Sequence, residues 1–151
     1  MSKSLLIGSD DLVANWAFTT FNLFKTPVNR AIGIISPEGK LVGAILWQNF
    51  NGWNVELSYY GPRTWTLGIL RTIMKITAVY FNASRLTAVT SKRNKVLMRG
   101  MMKLGWKLEG VQRCYYGARD IPSNTGVRFV MFRDRIDQIA RLAAKKDVTA
   151  I

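Results

Sequence analysis

Histidine is absent from this chain of 151 residues, and cysteine occurs once, as Cys114. Without histidine there can be no Ser-His-Asp triad, and most zinc sites are excluded as well. A catalytic cysteine usually needs a histidine partner, so we expect Cys114 to be a half-buried strand residue rather than a nucleophile. One cysteine cannot form a disulfide within the chain, which is typical of a reducing compartment. We therefore predict no metal site and no histidine-dependent hydrolase.

Long apolar runs are also missing, so no segment is predicted to cross a bilayer and no membrane partner is expected. Residues 1–11 lack the apolar stretch of a signal peptide. With 48% apolar side chains, the chain can build one ordinary core. Neither repeats nor linker-like tracts interrupt it. We expect a single domain over residues 1–151, in which residues 134–151 form a basic C-terminal helix or tail.

Acidic residues are scarce. The chain has 22 Lys and Arg against 9 Asp and Glu, which gives a net charge of +13 and favours anionic partners. Between Glu56 and Glu109 there is no acid, and the cations in that stretch are Arg63, Arg71, Lys75, Arg85, Lys92, Arg93, Lys95, Arg99, Lys103 and Lys107. A solvated basic surface without a ligand explains this as well as a phosphate-rich ligand does, either a nucleotide cofactor or a nucleic acid. Trp47, Trp53 and Trp65 are candidate stacking surfaces for nucleic-acid bases.

Apolar periodicity predicts the order helix, three strands, helix, strand, helix, two strands and a final helix. The first helix begins at Ser9 or Asp10, and Gly105 is expected to end the third in a left-handed conformation. A β-α-β crossover is expected around the second helix. The predicted strands are 31–36, 41–48, 53–60, 85–90, 107–116 and 127–133, and the later helices are about 70–81, 94–104 and 134–146.

Two segments carry a resemblance to a known family. They are RLTAVTSKRN from Arg85 to Asn94 and MKLGWKLEGVQR from Met102 to Arg113. The strand, the asparagine, the helix ending in Leu-Gly-aromatic and the Glu-Gly strand resemble the GNAT acetyltransferase superfamily, and especially phage-encoded GNAT-like proteins. The resemblance covers roughly residues 30–135. It implies an α/β fold with a central mixed sheet of about six to seven strands flanked by helices.

The resemblance also implies acetyl-CoA as the cofactor. The family's phosphate loop, Arg/Gln-x-x-Gly-x-Gly/Ala, falls on Trp65, Thr66, Leu67, Gly68, Ile69 and Leu70, where Gly68 alone matches. A helix N-terminus suits a pyrophosphate, but it can equally begin a helix that binds nothing. Ser58, Tyr59 and Tyr60 match the strand beside the pantetheine arm, where a bulge is expected to splay the sheet; cross-strand packing is the alternative for the tyrosines.

Asn94 matches the family's cofactor-binding asparagine and is also an N-cap candidate. For the ribose 3′-phosphate the candidates are Lys92, Lys95, Arg99 and Lys103, although a solvated helix face explains them too.

For catalysis, the resemblance places a general base at Glu56, which is otherwise an ordinary outward strand residue. The family's tyrosine acid falls at Met101, which has no proton to donate, so Tyr115, Tyr116 or water would have to replace it. The predicted function is transfer of an acetyl group to an amine of a protein or small molecule. A highly cationic acceptor is disfavoured by the basic surface.

Two other functions stay open: a non-catalytic GNAT-fold phage structural or virion protein, and a nucleic-acid-binding module. Members of the family often pair through sheet edges, so a homodimer is a further expectation. Phage origin would place the protein in the cytoplasm of an infected bacterial host or within a virion.

Overall fold

The computed structural model describes residues 3–62, 65–142 and 148–150. Within these segments eight strands form one mixed sheet. The elements are β1 (Lys3–Leu6), α1 (Asp10–Thr20), β2 (Arg30–Ile35), β3 (Leu41–Gln48), β4 (Asn54–Tyr60), α2 (Leu67–Lys75) with a π-helical continuation (Ile76–Tyr80), β5 (Arg85–Ser91), α3 (Lys95–Leu104), β6 (Lys107–Gln112), β7 (Gly126–Phe132), α4 (Arg133–Ala140) and β8 (Val148–Ala150).

The strand order across the sheet is β6-β7-β5-β4-β3-β2-β1-β8. Neighbours are antiparallel except for two parallel pairs, β4 with β5 and β1 with β8. The parallel pair β4 and β5 is joined through α2, as the predicted β-α-β unit requires. The mixed α/β sheet flanked by helices is therefore confirmed.

Apolar side chains pack on both faces of the sheet. On one face α2 and α4 bury Ile73 and Ile136 in a cluster that also holds Trp47. The Trp47 ring is fully buried, and its Nε1 donates a hydrogen bond of 3.1 Å to Thr77 Oγ1. On the opposite face α1 packs Phe18 and its neighbours against β2 and β3. The two layers hold the central strands rigidly, so a site built on β4 and β5 has a firm base.

The ends of the chain differ from the prediction. The strands β1 and β8 were missed because both are too short to give a clear alternation. The predicted C-terminal helix over 134–146 is observed as α4, which ends at Ala140. Its part at 143–146 lies outside the described residues. In the parts of the chain that the structure describes, no helix is long and apolar enough to cross a membrane.

The strand predicted over 107–116 is too long, because β6 ends at Gln112. Cys114 has a positive φ of 55°, which a strand does not permit, and its side chain is exposed. The expectation of a half-buried strand cysteine is therefore wrong. The chain instead folds into a loop, which an ion pair between Arg113 and Asp120 closes. That loop places two tyrosines beside the centre of the sheet.

Candidate functional site

The sheet is split between β4 and β5. The two strands pair at three positions, from Asn54 with Arg85 to Glu56 with Thr87, and then separate. Beyond that point residues 57–60 of β4 have no partner on β5. Pairing between β3 and β4 continues without a shift in register, so the bulge that we expected is not the cause of the splay. The strand edge at Ser58, Tyr59 and Tyr60 consequently faces an opening instead of a neighbouring strand.

A cavity of about 590 Å³ occupies this split. Because side chains alternate along a strand, the cavity receives residues from both faces of the sheet. Leu57 and Tyr59 point to the face covered by α2, whereas Tyr60 packs on the face covered by α1. Glu56 and Ser58 alternate with Leu57 and so share the Tyr60 face. The cavity is therefore lined by residues that belong to both faces of the sheet.

One wall of the cavity is the apolar face of α3. Leu97, Gly100, Met101 and Leu104 line the space, and no residue of α3 is fully buried. Leu97 keeps 45% of its surface exposed. An amphipathic helix normally buries its apolar stripe against the protein. Here the stripe faces an open cleft, which is the arrangement expected of a wall that contacts an apolar ligand.

Only part of the predicted phosphate loop, residues 65–70, lines the cavity. Trp65 and Leu70 line the cavity, while Gly68 and Ile69 are buried in the protein. Thr66 caps α2, since its Oγ1 accepts a hydrogen bond of 3.2 Å from the Ile69 backbone N–H. Leu67, like Thr66, does not line the cavity. The pyrophosphate contacts of this loop stay a prediction.

Trp65 lines the cavity and packs against Tyr59. Its ring meets Tyr59 edge-on at 4.9 Å, which fixes the tyrosine beside the strand opening. Its Nε1 is buried and has no hydrogen-bond partner among the described residues. Because this atom is buried, a ligand in the cavity does not reach it unless the indole ring moves.

Asn94 also lines the cavity, at the N-cap position of α3. Its side chain makes no capping hydrogen bond, so the amide is available to a ligand. Lys103 is exposed and does not line the cavity. A separate groove of about 340 Å³ between α3 and the strands β6 and β7 is lined by three other cations of the basic stretch, Lys92, Lys95 and Arg99. The geometry thus brings Asn94, but not Lys103, to the split.

Glu56 lies at the point where β4 and β5 separate, and it lines the cavity. Its Oε1 lies 3.2 Å from Arg128 Nη1, and its Oε2 accepts a hydrogen bond of 2.9 Å from Asn49 Nδ2. The side chain is 28% exposed and turned into the cavity. Arg128 comes from β7 and Asn49 from the β3–β4 turn, so three parts of the fold fix the carboxylate. Two hydrogen-bond partners therefore hold Glu56 at the cavity, and its role as a base stays a prediction.

Tyr115 and Tyr116 line the same part of the cavity, on the loop after β6. Burial raises the pKa of Tyr116 to about 12, and its hydroxyl donates a hydrogen bond to the Val89 carbonyl at 3.2 Å. The pKa of Tyr115 is raised by burial and then by the negative charge of Glu56. Both phenols keep their protons at neutral pH and can act as hydrogen-bond donors. Met101, on the opposite wall, has no such proton.

The sequence analysis did not identify Arg128 as a site residue, and it wrongly expected Trp47 to be an exposed stacking surface. The signal for Arg128 was a single cation inside the apolar strand GVRFVMF, where a half-buried charge needs a partner. Trp47 is fully buried, so its predicted role as a stacking surface is wrong. Trp65 belongs to the cavity wall, and Trp53 is 71% exposed on the β3–β4 turn. Within the described segments, no group of metal-ligating side chains is present.

No protein-family model matches the chain, and no curated protein matches it in sequence. Solved structures do match. Mutant forms of the spermidine/spermine N-acetyltransferase SpeG from Vibrio cholerae align with a TM-score of 0.58 at 13% identity, over 72% of this chain and 67% of that one. A GNAT-family acetyltransferase from Bacillus anthracis gives a TM-score of 0.54 at 16% identity, over 69% and 66%.

A GCN5-related N-acetyltransferase from Brucella melitensis gives a TM-score of 0.60 at 16% identity, over 78% of this chain and 57% of that one. This chain thus spans about two thirds or less of the length of the structures that it resembles. Likeness at such low identity establishes architecture. The chain has the GNAT acyltransferase fold, with its cavity at the split between the two central parallel strands.

Proposed function

We propose that this protein is an acetyl-CoA-dependent N-acetyltransferase that acts on an amine of a protein or small molecule. The observation that carries the proposal is the cavity through the split sheet, with the apolar wall of α3 on one side and Glu56 on the other. In this proposal a thioester and an amine meet inside the cavity, beside the Glu56 carboxylate. Proximity and orientation of this kind supply much of the rate of an intramolecular-like transfer.

The residues present fit the acyl-bearing arm of acetyl-CoA. The unpaired edge of β4 offers backbone groups to the amides of an extended arm, in the manner of an added strand. The Asn94 side chain, which makes no capping hydrogen bond, adds a polar group to the cavity wall. When bound, acetyl-CoA supplies an acetyl group activated as a thioester. The chain's net charge of +13 favours the polyanionic end of such a molecule.

Glu56 is the proposed general base. Its carboxylate is the one acidic group among the described residues that line the cavity, and it can accept a proton from an incoming amine. The hydrogen bonds from Arg128 and Asn49 hold both oxygens in place. Tyr115 is the proposed proton donor: its phenol keeps its proton at neutral pH, it lines the same cavity as Glu56, and it takes the role that Met101 cannot perform.

The test is release of free thiol from acetyl-CoA in the presence of amine acceptors. Glu56→Gln is expected to lower the turnover about 100-fold or more, since a positioned base contributes about that much. Glu109→Gln is a matched control, because Glu109 is similarly exposed and ion-paired, with Arg85, but lies outside the cavity. Undiminished turnover in Glu56→Gln removes the residue from the mechanism.

A second candidate is a GNAT-fold protein that binds a ligand without turnover, as in a virion or nucleic-acid-binding role. Met101 in the place of an acid, and a carboxylate whose oxygens are both already hydrogen-bonded, favour it. Binding of acetyl-CoA without thiol release to any amine would support this candidate. Turnover with an amine acceptor would rule it out.

A further inference from the structure

The charges that face the cavity balance to zero. Among the described residues that line it, Glu56 and Arg128 are the charged ones, and they face each other across 3.2 Å. Both are largely buried, with 28% and 22% of their side chains exposed. The protein as a whole carries +13, so this neutral spot differs from its surroundings. A ligand that meets these two groups has to satisfy one charge of each sign.

Aromatic rings line the same cavity as this ion pair. Tyr115 and Tyr116 meet edge-on with centroids 4.8 Å apart, and both line the cavity together with Tyr60. Tyr60 is in turn held by Phe21 of the α1 end, at 5.4 Å. The ion pair and the three tyrosines line one cavity, and we refer to them together as the cluster. The cluster combines one half-buried pair of opposite charges with aromatic rings.

We infer that the acceptor is a free α-amino acid with an aromatic or large apolar side chain, an inference that rests on the proposed acetyltransferase function. The ammonium group pairs with Glu56, the base that takes its proton. The carboxylate of the same molecule pairs with Arg128, for which guanidinium is the preferred partner in proteins. The side chain packs on the tyrosine rings. The amino acid thereby replaces the ion pair between Glu56 and Arg128 with two charge-assisted hydrogen bonds, one to each residue.

Polyamines fit this cluster poorly. A polyamine brings further positive charges, and the cavity offers no second carboxylate among the described residues that line it. Two other acids are engaged elsewhere: Glu109 pairs with Arg85, and Asp120 pairs with Arg113. A simple amine without a carboxylate would separate Glu56 from Arg128 and give the guanidinium nothing in return. Selectivity for the carboxylate is therefore built into the Arg128 contact.

The test compares binding of L-phenylalanine, L-phenylalaninamide and spermidine by calorimetric titration, with and without coenzyme A. L-phenylalanine is expected to bind about ten- to a hundredfold more tightly than its amide, the range for one hydrogen-bonded charge. Arg128→Met should abolish that preference. Arg30→Met is the matched control and should keep it, because Arg30 is equally exposed and paired with Asp10, away from the cavity.

Equal binding of acid and amide overturns the inference, and so does an Arg128→Met variant that weakens both ligands alike. An acetyl-transfer assay with the same three amines separates this failure from failure of the proposed function. Faster transfer to the amide or to spermidine overturns the amino-acid assignment while the acetyltransferase stands. Preference for L-phenylalanine in a protein that does not bind acetyl-CoA supports the assignment of these residues and removes the acetyltransferase.

Discussion

Gly100 stands in the middle of α3, where glycine is a poor helix former. It lines the cavity, and a Cβ added there would meet nothing within 4 Å. Space is therefore available, and no contact with the described residues requires glycine at this position. A ligand that passes close to the helix backbone would require it. We predict that Gly100→Ala stabilises the protein and that Gly100→Leu stabilises it but fills the ligand space.

The magnitudes follow from helix propensity and binding linkage. Glycine costs about 1 kcal/mol relative to alanine in a helix interior, and leucine is nearly as good as alanine. For a domain of this size, about 1 kcal/mol raises Tm by roughly 2–4 °C. A ligand at about 100 times its dissociation constant adds about 2.7 kcal/mol, which raises Tm by roughly 5–10 °C. The two effects are large enough to be measured separately.

The assay is thermal unfolding of wild type and both Gly100 variants, with and without acetyl-CoA. Both variants should melt at higher temperature than wild type in the absence of ligand. Acetyl-CoA should stabilise wild type and leave Gly100→Leu unchanged. The full ligand-induced shift in Gly100→Leu would refute the assignment of this cavity to the cofactor. A lower Tm in Gly100→Ala would refute the statement that no protein contact requires this glycine.

Three further predictions concern single residues. Trp47→Phe removes the buried hydrogen bond to Thr77 and should lower the free energy of unfolding in urea by about 1–3 kcal/mol; an unchanged value would mean that this bond does not contribute. Gly105→Ala places a Cβ 2.8 Å from Arg135 Cγ at a φ of 110° and should cost about 1–2 kcal/mol in the same assay, whereas a neutral result would contradict the left-handed cap. The Tyr116 pKa of about 12 in the folded protein exceeds the value of 10.0 in the unfolded chain, so the unfolded state loses its proton first. The free energy of unfolding should therefore fall as the pH rises from 10 to 12. Tyr116→Phe should flatten this decline, and an equally steep decline in the variant would contradict the raised pKa of Tyr116.

The elements that the sequence predicted well have strong local signals. The alternation in β4 and the helical spacing of α2 agree with the observed elements to within a few residues. Gly105 ends α3 with a φ of 110°, as predicted from its position after the last apolar residue. These features depend on neighbours within one or two turns of chain. Such local features can be predicted from the spacing of apolar residues and glycine along the chain.

The parts that escaped prediction depend on distant contacts. Glu56 and Arg128 are 72 positions apart, so no local pattern joins them. The split between β4 and β5 arises because their pairing stops after Glu56 and Thr87. Strand propensity predicts that a segment is a strand, but not where its pairing with a neighbour ends. The early end of β6 follows from the left-handed backbone at Cys114, a conformation that cysteine seldom adopts. The local sequence therefore does not predict that these side chains share one cavity, although Glu56, Asn94 and the end of β4 had been named as candidates from the resemblance.

The central claim is that the split between β4 and β5 binds acetyl-CoA. Calorimetric titration of the wild-type protein with acetyl-CoA tests it most directly, with Gly100→Leu as the blocked control. We predict one-to-one binding in the micromolar range for wild type and loss of binding in the variant. An absence of heat at millimolar acetyl-CoA, or equal binding by the two proteins, would contradict the claim.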